Sequence, residues 1–266
     1  EMSASLVGSE MCIRDRYLCI FIVPFLEIYC NPFFQVYTLN IGQADCSIIV
    51  EPFHKSVVMI DCGQNLYRDN VERIIMPFLE NKNIHTIGTL ILTHDDFDHN
   101  GGYESLKDKI EIKQVIEDSN DKVNVDYPFY LLLSEREAKD TNDSSIISYF
   151  TYDHFTYLFM GDASKQIEKQ LMATYDLKAD VVKVGHHGSN TSSDSDFLDS
   201  LDCKIALISA GYKNKYGHPS VETLKTLETL HINTLCTSDC GSIAIYSLFH
   251  LSFLVTNDGM FGIIWT

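Results

Sequence analysis

From residue 34 onward, apolar positions recur at strand spacing in short runs and at helix spacing in longer ones. FQVYTLN (34–40) predicts a strand and IGQAD a turn, with CSIIVE (46–51) and SVVMID (56–61) as further strands rich in β-branched residues. VERIIMPFLENK (71–82) has helical spacing, with Pro77 marking a kink. HTIGTLILTH (85–94) is continuously apolar, as in a strand covered on both faces, and KQVIED (113–118) is a shorter strand. The polar SEREAKDTND (134–143) predicts a loop, and SSIISYFTYDHFTYLFMGD (144–162) a hairpin about YDH. KQIEKQLMATY (165–175) is an amphipathic helix, ADVVKVGHHGS (179–189) a strand entering a loop, DFLDSL (196–201) a helix and KIALISA (204–210) a strand. HPSVETLKTLETL (218–230) offers Ser220 as N-cap and Glu222 in the first turn, before two β-rich runs, GSIAIYS and SFLVT. No repeat, low-complexity tract or linker breaks this stretch, so 34–266 reads as one domain. Strands dominate first and then alternate with helices, which a two-sheet core with helices outside accommodates.

The N-terminal segment reads differently. EMSASLVGSEMCIRDR (1–16) resembles translated sequencing-adapter read-through and is expected to be non-native. Residues 17–33 are strongly apolar but interrupted by Pro24 and Glu27, short of the ~20 apolar residues a spanning helix needs. A signal-peptide core, a buried helix and the remnant of a membrane helix all match that pattern.

Composition narrows the class. The chain has 266 residues, 45% of them hydrophobic, enough for a sizeable α/β core. Its formal charge of −17 argues against a simple electrostatic grip on DNA, although bound cations would offset charge locally. Eight cysteines, at 12, 19, 30, 46, 62, 203, 236 and 240, form no CxxC pair or zinc-finger spacing. Cys46 and Cys62 adjoin apolar runs, and reduced structural thiols are expected rather than a disulfide framework.

The chemistry collects where strands end. In LTHDDFDHNGG (92–102), His94, Asp96, Asp98 and His99 follow an apolar run and precede Gly101 and Gly102. Histidine with carboxylate suits zinc, manganese or iron better than calcium. An acidic helix cap is the competing explanation, but a cap needs one carboxylate and not three. MIDCG ends in Asp61, YLFMGDAS in Asp162, and VVKVGHHGS in His186 and His187. Each is weak alone, since strand-end aspartates commonly form turns. Together they could complete a two-metal site. His218, in KYGHPS, is either a turn residue before Pro219 or a functional one.

The series DCG, THDDFDHNGG, MGDAS, KVGHHGS and YGHPS resembles the metallo-β-lactamase superfamily, and within it the C-terminal hydrolase domain of the ComEC family of DNA-uptake channels. The superfamily's HxHxDH here reads HxDxDH, and the strand pair around IGQADCSII is similar to that family's opening signature. The resemblance implies an α/β fold, a four-layer αβ/βα sandwich, and two divalent ions, zinc or manganese. His94 and Asp96 would hold one ion, Asp98 and His99 the other, with Asp162 bridging and His187 or His186 completing the second. Asp61 would orient a ligand by hydrogen bond. Asp98, His186 and His218 are the expected catalytic residues, His218 as proton donor to the leaving oxygen. The chain departs from the pattern at Asn142, where the superfamily has a histidine; an amide is a poor zinc ligand, so the first ion would bind weakly, be manganese or magnesium, or recruit Asp143 instead. Asn40 and Ala44 stand where the family tends to carry aspartate and glycine.

The implied reaction is phosphodiester hydrolysis on single-stranded DNA during competence-related uptake. The implied setting is a bacterial cell membrane, with the hydrolase domain outside the cytoplasm and no stable protein partner. Two other functions fit the residues: a hydrolase of a small phosphodiester, lactone or thioester, and a non-catalytic, metal-stabilised binding domain.

Overall fold

The alternation of apolar side chains along the strands sorts them into three cores. In the computed structural model, residues 31–65, 68–133 and 141–264 are described; the expectations for 1–30, including Cys12, Cys19 and Cys30, and for loop residues 134–140 lie outside them. Within the described residues, one eight-stranded sheet contains β1 (Phe34–Thr38), β2 (Ser47–Val50), β3 (Val57–Ile60), β4 (Thr86–Ile91), β5 (Glu111–Ile116), β12 (Ile243–Leu248), β13 (Leu251–Thr256) and β14 (Phe261–Ile264). A six-stranded sheet holds β6 (Phe129–Leu132), β7 (Ile147–Tyr152), β8 (Phe155–Phe159), β9 (Val181–Lys183), β10 (Ile205–Ile208) and β11 (Asn233–Cys236). Their order is β14-β13-β12-β1-β2-β3-β4-β5 in the first and β11-β10-β9-β8-β7-β6 in the second.

Val58 and Ile60 of β3 meet Phe155, Tyr157 and Phe159 of β8 in the core between the sheets. Their neighbours Val57 and Met59 face the other way, onto Val71, Ile75 and Leu79 of the helical segment 71–81 and onto Leu106. Leu158, Val182 and Ala206 likewise cover Ile167, Leu171, Phe197 and Leu227 of the helices Lys165–Thr174, Ser195–Leu201 and Val221–Thr229. Three cores between four layers make the expected αβ/βα sandwich. The period of two is what separates them.

The predicted elements lie where the pattern put them, with a few differences. The segment at 71–82 opens as a π-helix, Val71–Ile75, before α-helix Met76–Asn81. Pro77 has no N–H to donate, and the wide turn directly precedes it. Ser220 caps its helix by accepting from Thr223 N at 3.1 Å. Strands β6, β11 and β14 were not anticipated. Cys46, Cys62, Cys203, Cys236 and Cys240 are free thiols, as expected.

Strands β3, β4 and β5 run parallel, as do β8, β9, β10 and β11, so within each sheet their C-terminal ends share one edge. Ile146 N donates to Thr93 O at 2.9 Å, joining the two sheets at that edge. Among the described residues no helix is long and apolar enough to cross a membrane.

Candidate metal centre

The loop after β4 is held by backbone before any side chain acts. Asp45 N donates to Asp98 O (2.9 Å), Cys62 N to His99 O (2.8 Å), Gln64 N to Phe97 O (3.1 Å) and Gly63 N to Asp45 O (2.9 Å). Gly63 is required by this close approach: a Cβ there would stand 1.8 Å from Asp98 O. Asp96 occupies the N-cap position of helix Phe97–Asn100 but its side chain makes no capping hydrogen bond. The acidic-cap explanation therefore fails for that carboxylate. Asp95 points to solvent, 3.4 Å from Asn100 Nδ2.

The imidazoles are oriented from behind. His99 Nδ1 lies 2.7 Å from Asp61 Oδ2, and Asp61 is itself fixed by Thr93 N (2.8 Å) and the Thr93 hydroxyl. His187 Nδ1 sits 2.9 Å from Ser209 O, a carbonyl that only accepts, so the ring is protonated there. Hydroxyls of Thr93 and Ser145 face His94 Nδ1 at 3.0 and 3.3 Å. All three rings thereby turn Nε2 toward one another's carboxylates. His99 Nε2 is 3.0 Å from Asp162 Oδ1, His187 Nε2 is 3.2 Å from Asp98 Oδ2, and His94 Nε2 is 3.8 Å from Asp96 Oδ2. Asp61, His186 and His187 have φ of 60°, 48° and 52°, a left-handed geometry that non-glycine residues adopt at a cost and that clusters at functional sites.

Burial sharpens the electrostatics. It disfavours charge on His99, yet the Asp162 and Asp61 carboxylates outweigh it and raise the His99 pKa well above the ordinary value. Burial likewise opposes ionisation of Asp162, but His99 and His187 hold that carboxyl far below its usual range. His94 is lowered by burial and by the charge of His99. His94 Nε2, His99 Nε2 and Asp162 Oδ1 are buried and make no well-formed hydrogen bond, the 3.0 Å approach of the last two being an ion pair. Buried polar atoms are normally satisfied. Orphaned nitrogen and oxygen donors converging on one point are what a cation would complete, so the residues present fit divalent metal. His94, His99 and Asp162, and separately Asp98, His99 and His187, bring ligand atoms within 4.8 Å of one another.

The remaining expected residues border this centre. His186 Nε2 lies 3.7 Å from Asp162 Oδ2, while its Nδ1 is 3.2 Å from the Thr191 hydroxyl and 3.5 Å from Asn142 Nδ2. His218 is placed by ring contacts, 5.7 Å from His186 and 6.5 Å from His187. Asn142 begins the 3-10 turn Asn142–Ser144, and Asp143 Oδ1 is buried without a partner but outside the ligand clusters.

Two residues were missed. Asp45, 2% exposed, forms a buried ion pair with Lys183, 3% exposed, and its Oδ1 is 3.6 Å from His187 Nδ1. Lys183 ends β9, and its ammonium supplies the positive charge that keeps Asp45 ionised behind the centre. The sequence signal was a lone lysine in the apolar run VVKVG, an expensive residue to bury without a partner.

The loop after the HHGS segment hangs on Glu168, whose carboxylate accepts from Ser193 N and Asp194 N, each at 2.7 Å. Burial pushes the Glu168 pKa up from 4.5 to about 7 despite those bonds. The folded protein thus retains a proton that the unfolded chain has released between these values. The stabilising contribution is fully present below pH 4.5 and is lost as pH rises through 7. At 1.36 kcal/mol per unit this is roughly 3 kcal/mol. Chemical unfolding at pH 5 and pH 8 is expected to show a smaller loss of stability in Glu168→Gln than in the wild type; equal losses would remove Glu168 as the source.

The profile of the metallo-beta-lactamase superfamily matches residues 39–146, the stretch that carries Asp45, Asp61 and the whole His94–His99 loop. The chain carries a metallo-beta-lactamase domain. It is 30% identical over 285 aligned positions to ComE operon protein 3 of Bacillus subtilis, covering 91% of this chain and 36% of that protein. It is 28% identical over 227 positions to Recombination protein 2 of Haemophilus influenzae, covering 79% of this chain and 28% of that one. Competence protein ComA of Neisseria gonorrhoeae is 30% identical over 185 positions, covering 64% of this chain and 26% of its own length. The chain thus spans about a third or less of these relatives. The solved metallo-beta-lactamase fold protein YhfI from Bacillus subtilis superposes with a TM-score of 0.55 at 10% identity, over 80% of this chain and all of that one, which is a likeness of fold. The resemblance to the metallo-beta-lactamase superfamily is borne out, and with it a metal-dependent hydrolase scaffold.

Proposed function

We propose that this metallo-beta-lactamase domain is a two-metal phosphodiesterase acting on single-stranded DNA, as part of a membrane-bound DNA-uptake protein. The observation that carries the reading is the convergence of His94, His99 and Asp162, with their inner atoms buried and without well-formed hydrogen bonds. The competence proteins among its relatives support DNA as the substrate and the membrane as its setting. His94 and Asp96 would hold one ion, Asp98, His99 and His187 the other, and Asp162 would lie between them. With Asn142 in place of a histidine the first position is oxygen-rich, which suits manganese as well as zinc. A divalent pair supplies Lewis acidity and lowers the pKa of the attacking water.

The chain's own residues do the rest. Asp61 and Ser209 O lock the tautomers of His99 and His187, so their Nε2 atoms remain aimed inward. Asp98 Oδ2, beside His187 Nε2, is placed to hold the attacking water by one of its protons. His186 is steadied by the Thr191 hydroxyl at the rim of the centre. His218, at the rim beside His186, would give a proton to the leaving oxygen. Its pKa is lowered by burial and by His187 and His186, so the protonated form that this role needs is favoured toward acid pH.

His218→Ala is expected to lower kcat on a phosphodiester by about 10²- to 10⁴-fold with metal content unchanged. A loss confined to KM would reassign His218 to substrate binding. The function itself is tested by incubating the metal-loaded protein with single-stranded DNA, a small phosphodiester, a lactone and a thioester. Cleavage of DNA is expected; turnover of the lactone or thioester alone would replace the proposed reaction.

A further inference from the structure

The mechanism above leaves unused an exposed aromatic loop that borders the centre. In Gly211–Gly217, GYKNKYG, Tyr212 is 72% exposed and Tyr216 59% exposed. Each ring carries an ammonium over its face: Lys213 Nζ is 5.1 Å from the Tyr212 centroid, and Lys215 Nζ 4.8 Å from that of Tyr216. The Tyr216 ring also leads inward, because it stacks on His218 at 5.9 Å and 10°. One more ring spacing, 5.7 Å from His218 to His186, reaches a side chain that contacts Asp162.

This loop is pre-formed. Asn214 Oδ1 accepts from Tyr216 N (3.1 Å) and His218 N (3.0 Å), and its Nδ2 donates to Gly211 O (2.9 Å). Gly211 N is tied in turn to Gln43 Oε1 at 3.0 Å. Rings held out from an ordered loop lose little freedom when something stacks on them. The local charge also inverts. From Ile205 to Val221 there is no aspartate or glutamate, while Lys213 and Lys215 fall within it, in a chain of net charge −17.

We infer that the Gly211–Gly217 loop is a platform for single-stranded nucleic acid, on which bases stack against Tyr212 and Tyr216 while Lys213 and Lys215 turn to the phosphates. Aromatic faces joined to cations along a backbone track are the usual means of holding single strands without sequence preference. A local basic platform also resolves the conflict between an acidic chain and a polyanionic substrate, since only the strand near the centre meets positive charge. This inference rests on the phosphodiesterase reading and adds the residues that would select a polymer over a small ester.

The test compares the metal-loaded wild type with Tyr212→Ala, Tyr212→Phe and the double variant Lys213→Gln/Lys215→Gln. Substrates are a short oligothymidylate and bis(p-nitrophenyl) phosphate. Tyr212→Ala is expected to raise KM for the oligonucleotide by about 5- to 100-fold, the range for loss of one base stack, and Tyr212→Phe to restore it. The lysine double variant is expected to raise the same KM and flatten its dependence on salt. Both should leave turnover of the small ester within about two-fold, which also shows that the fold is intact. Unchanged oligonucleotide KM in an active enzyme overturns the platform alone. Equal losses on both substrates also overturn it, by making the loop part of the catalytic geometry. A wild type that hydrolyses only the small ester overturns the DNA reading together with the platform.

Discussion

Lys183→Met is expected to lower the stability of the metal-free protein by about 3–5 kcal/mol, the cost of breaking a buried ion pair from one side. Lys183 and Asp45 are both almost wholly buried and paired with each other. Removing the ammonium leaves the Asp45 carboxylate in a region that already contains Asp61 and Asp162, with His99 Nδ1 at 3.9 Å and His187 Nδ1 at 3.6 Å as its nearest positive neighbours. Asp45 also carries two backbone bonds that fix the His94–His99 loop, through Asp98 O and Gly63 N. The strain therefore falls on the centre as well as on the core. Asp45→Asn/Lys183→Met, which removes both charges at similar volume, should recover most of the loss, because neutral replacement of a buried pair is often close to cost-free. Urea unfolding checks both. A single variant within about 1 kcal/mol of wild type would show the pair to be solvated in solution.

Asp162→Asn is expected to reduce phosphodiester turnover by about 10³-fold or more, at the upper end of what one electrostatic group supplies. Among the described residues Asp162 is the carboxylate within reach of three imidazoles: Oδ1 is 3.0 Å from His99 Nε2, and Oδ2 is 3.7 Å from His186 Nε2 and 4.0 Å from His187 Nε2. Its backbone N is held by the Ser145 hydroxyl at 3.0 Å, so asparagine can occupy the same place. What changes is charge and donor type. An amide is a poor metal ligand, and its NH₂ would confront ring nitrogens that now face a carboxylate. Asp95→Asn, in the neighbouring acidic loop after β4 and turned to solvent, is the control and should leave turnover unchanged. A loss as large in Asp95→Asn would mean that the net charge around the centre, and not the Asp162 position, matters.

The parts of this picture that depend on short stretches of chain were legible in the sequence. Apolar runs ending in Asp61, His94, Asp162 and His187 are strand ends, and parallel pairing within each sheet carries those ends to one edge. Strand β14 was not, because FGII is four residues with a glycine inside and exposed positions alternating weakly. The edge strands FYLL and NTLC are as short. The π turn at Val71–Ile75 changes the helix without changing its apolar spacing. Asp45 and Lys183 lie 138 residues apart, so their pairing exists only after the two sheets face each other. Asp45 stood in a turn that read as a signature of fold, and nothing local gave it a charge partner. Asn142 was visible as a departure; its contact with His186 required the structure.

The central claim is that the buried donors around Asp162 hold two cations. Elemental analysis of the protein after loading with manganese or zinc and removal of free ion tests it most directly. About two ions per chain are expected in the wild type, falling by at least one in Asp162→Asn. Retention of no metal by the folded wild type, or equal content in both proteins, would contradict the assignment.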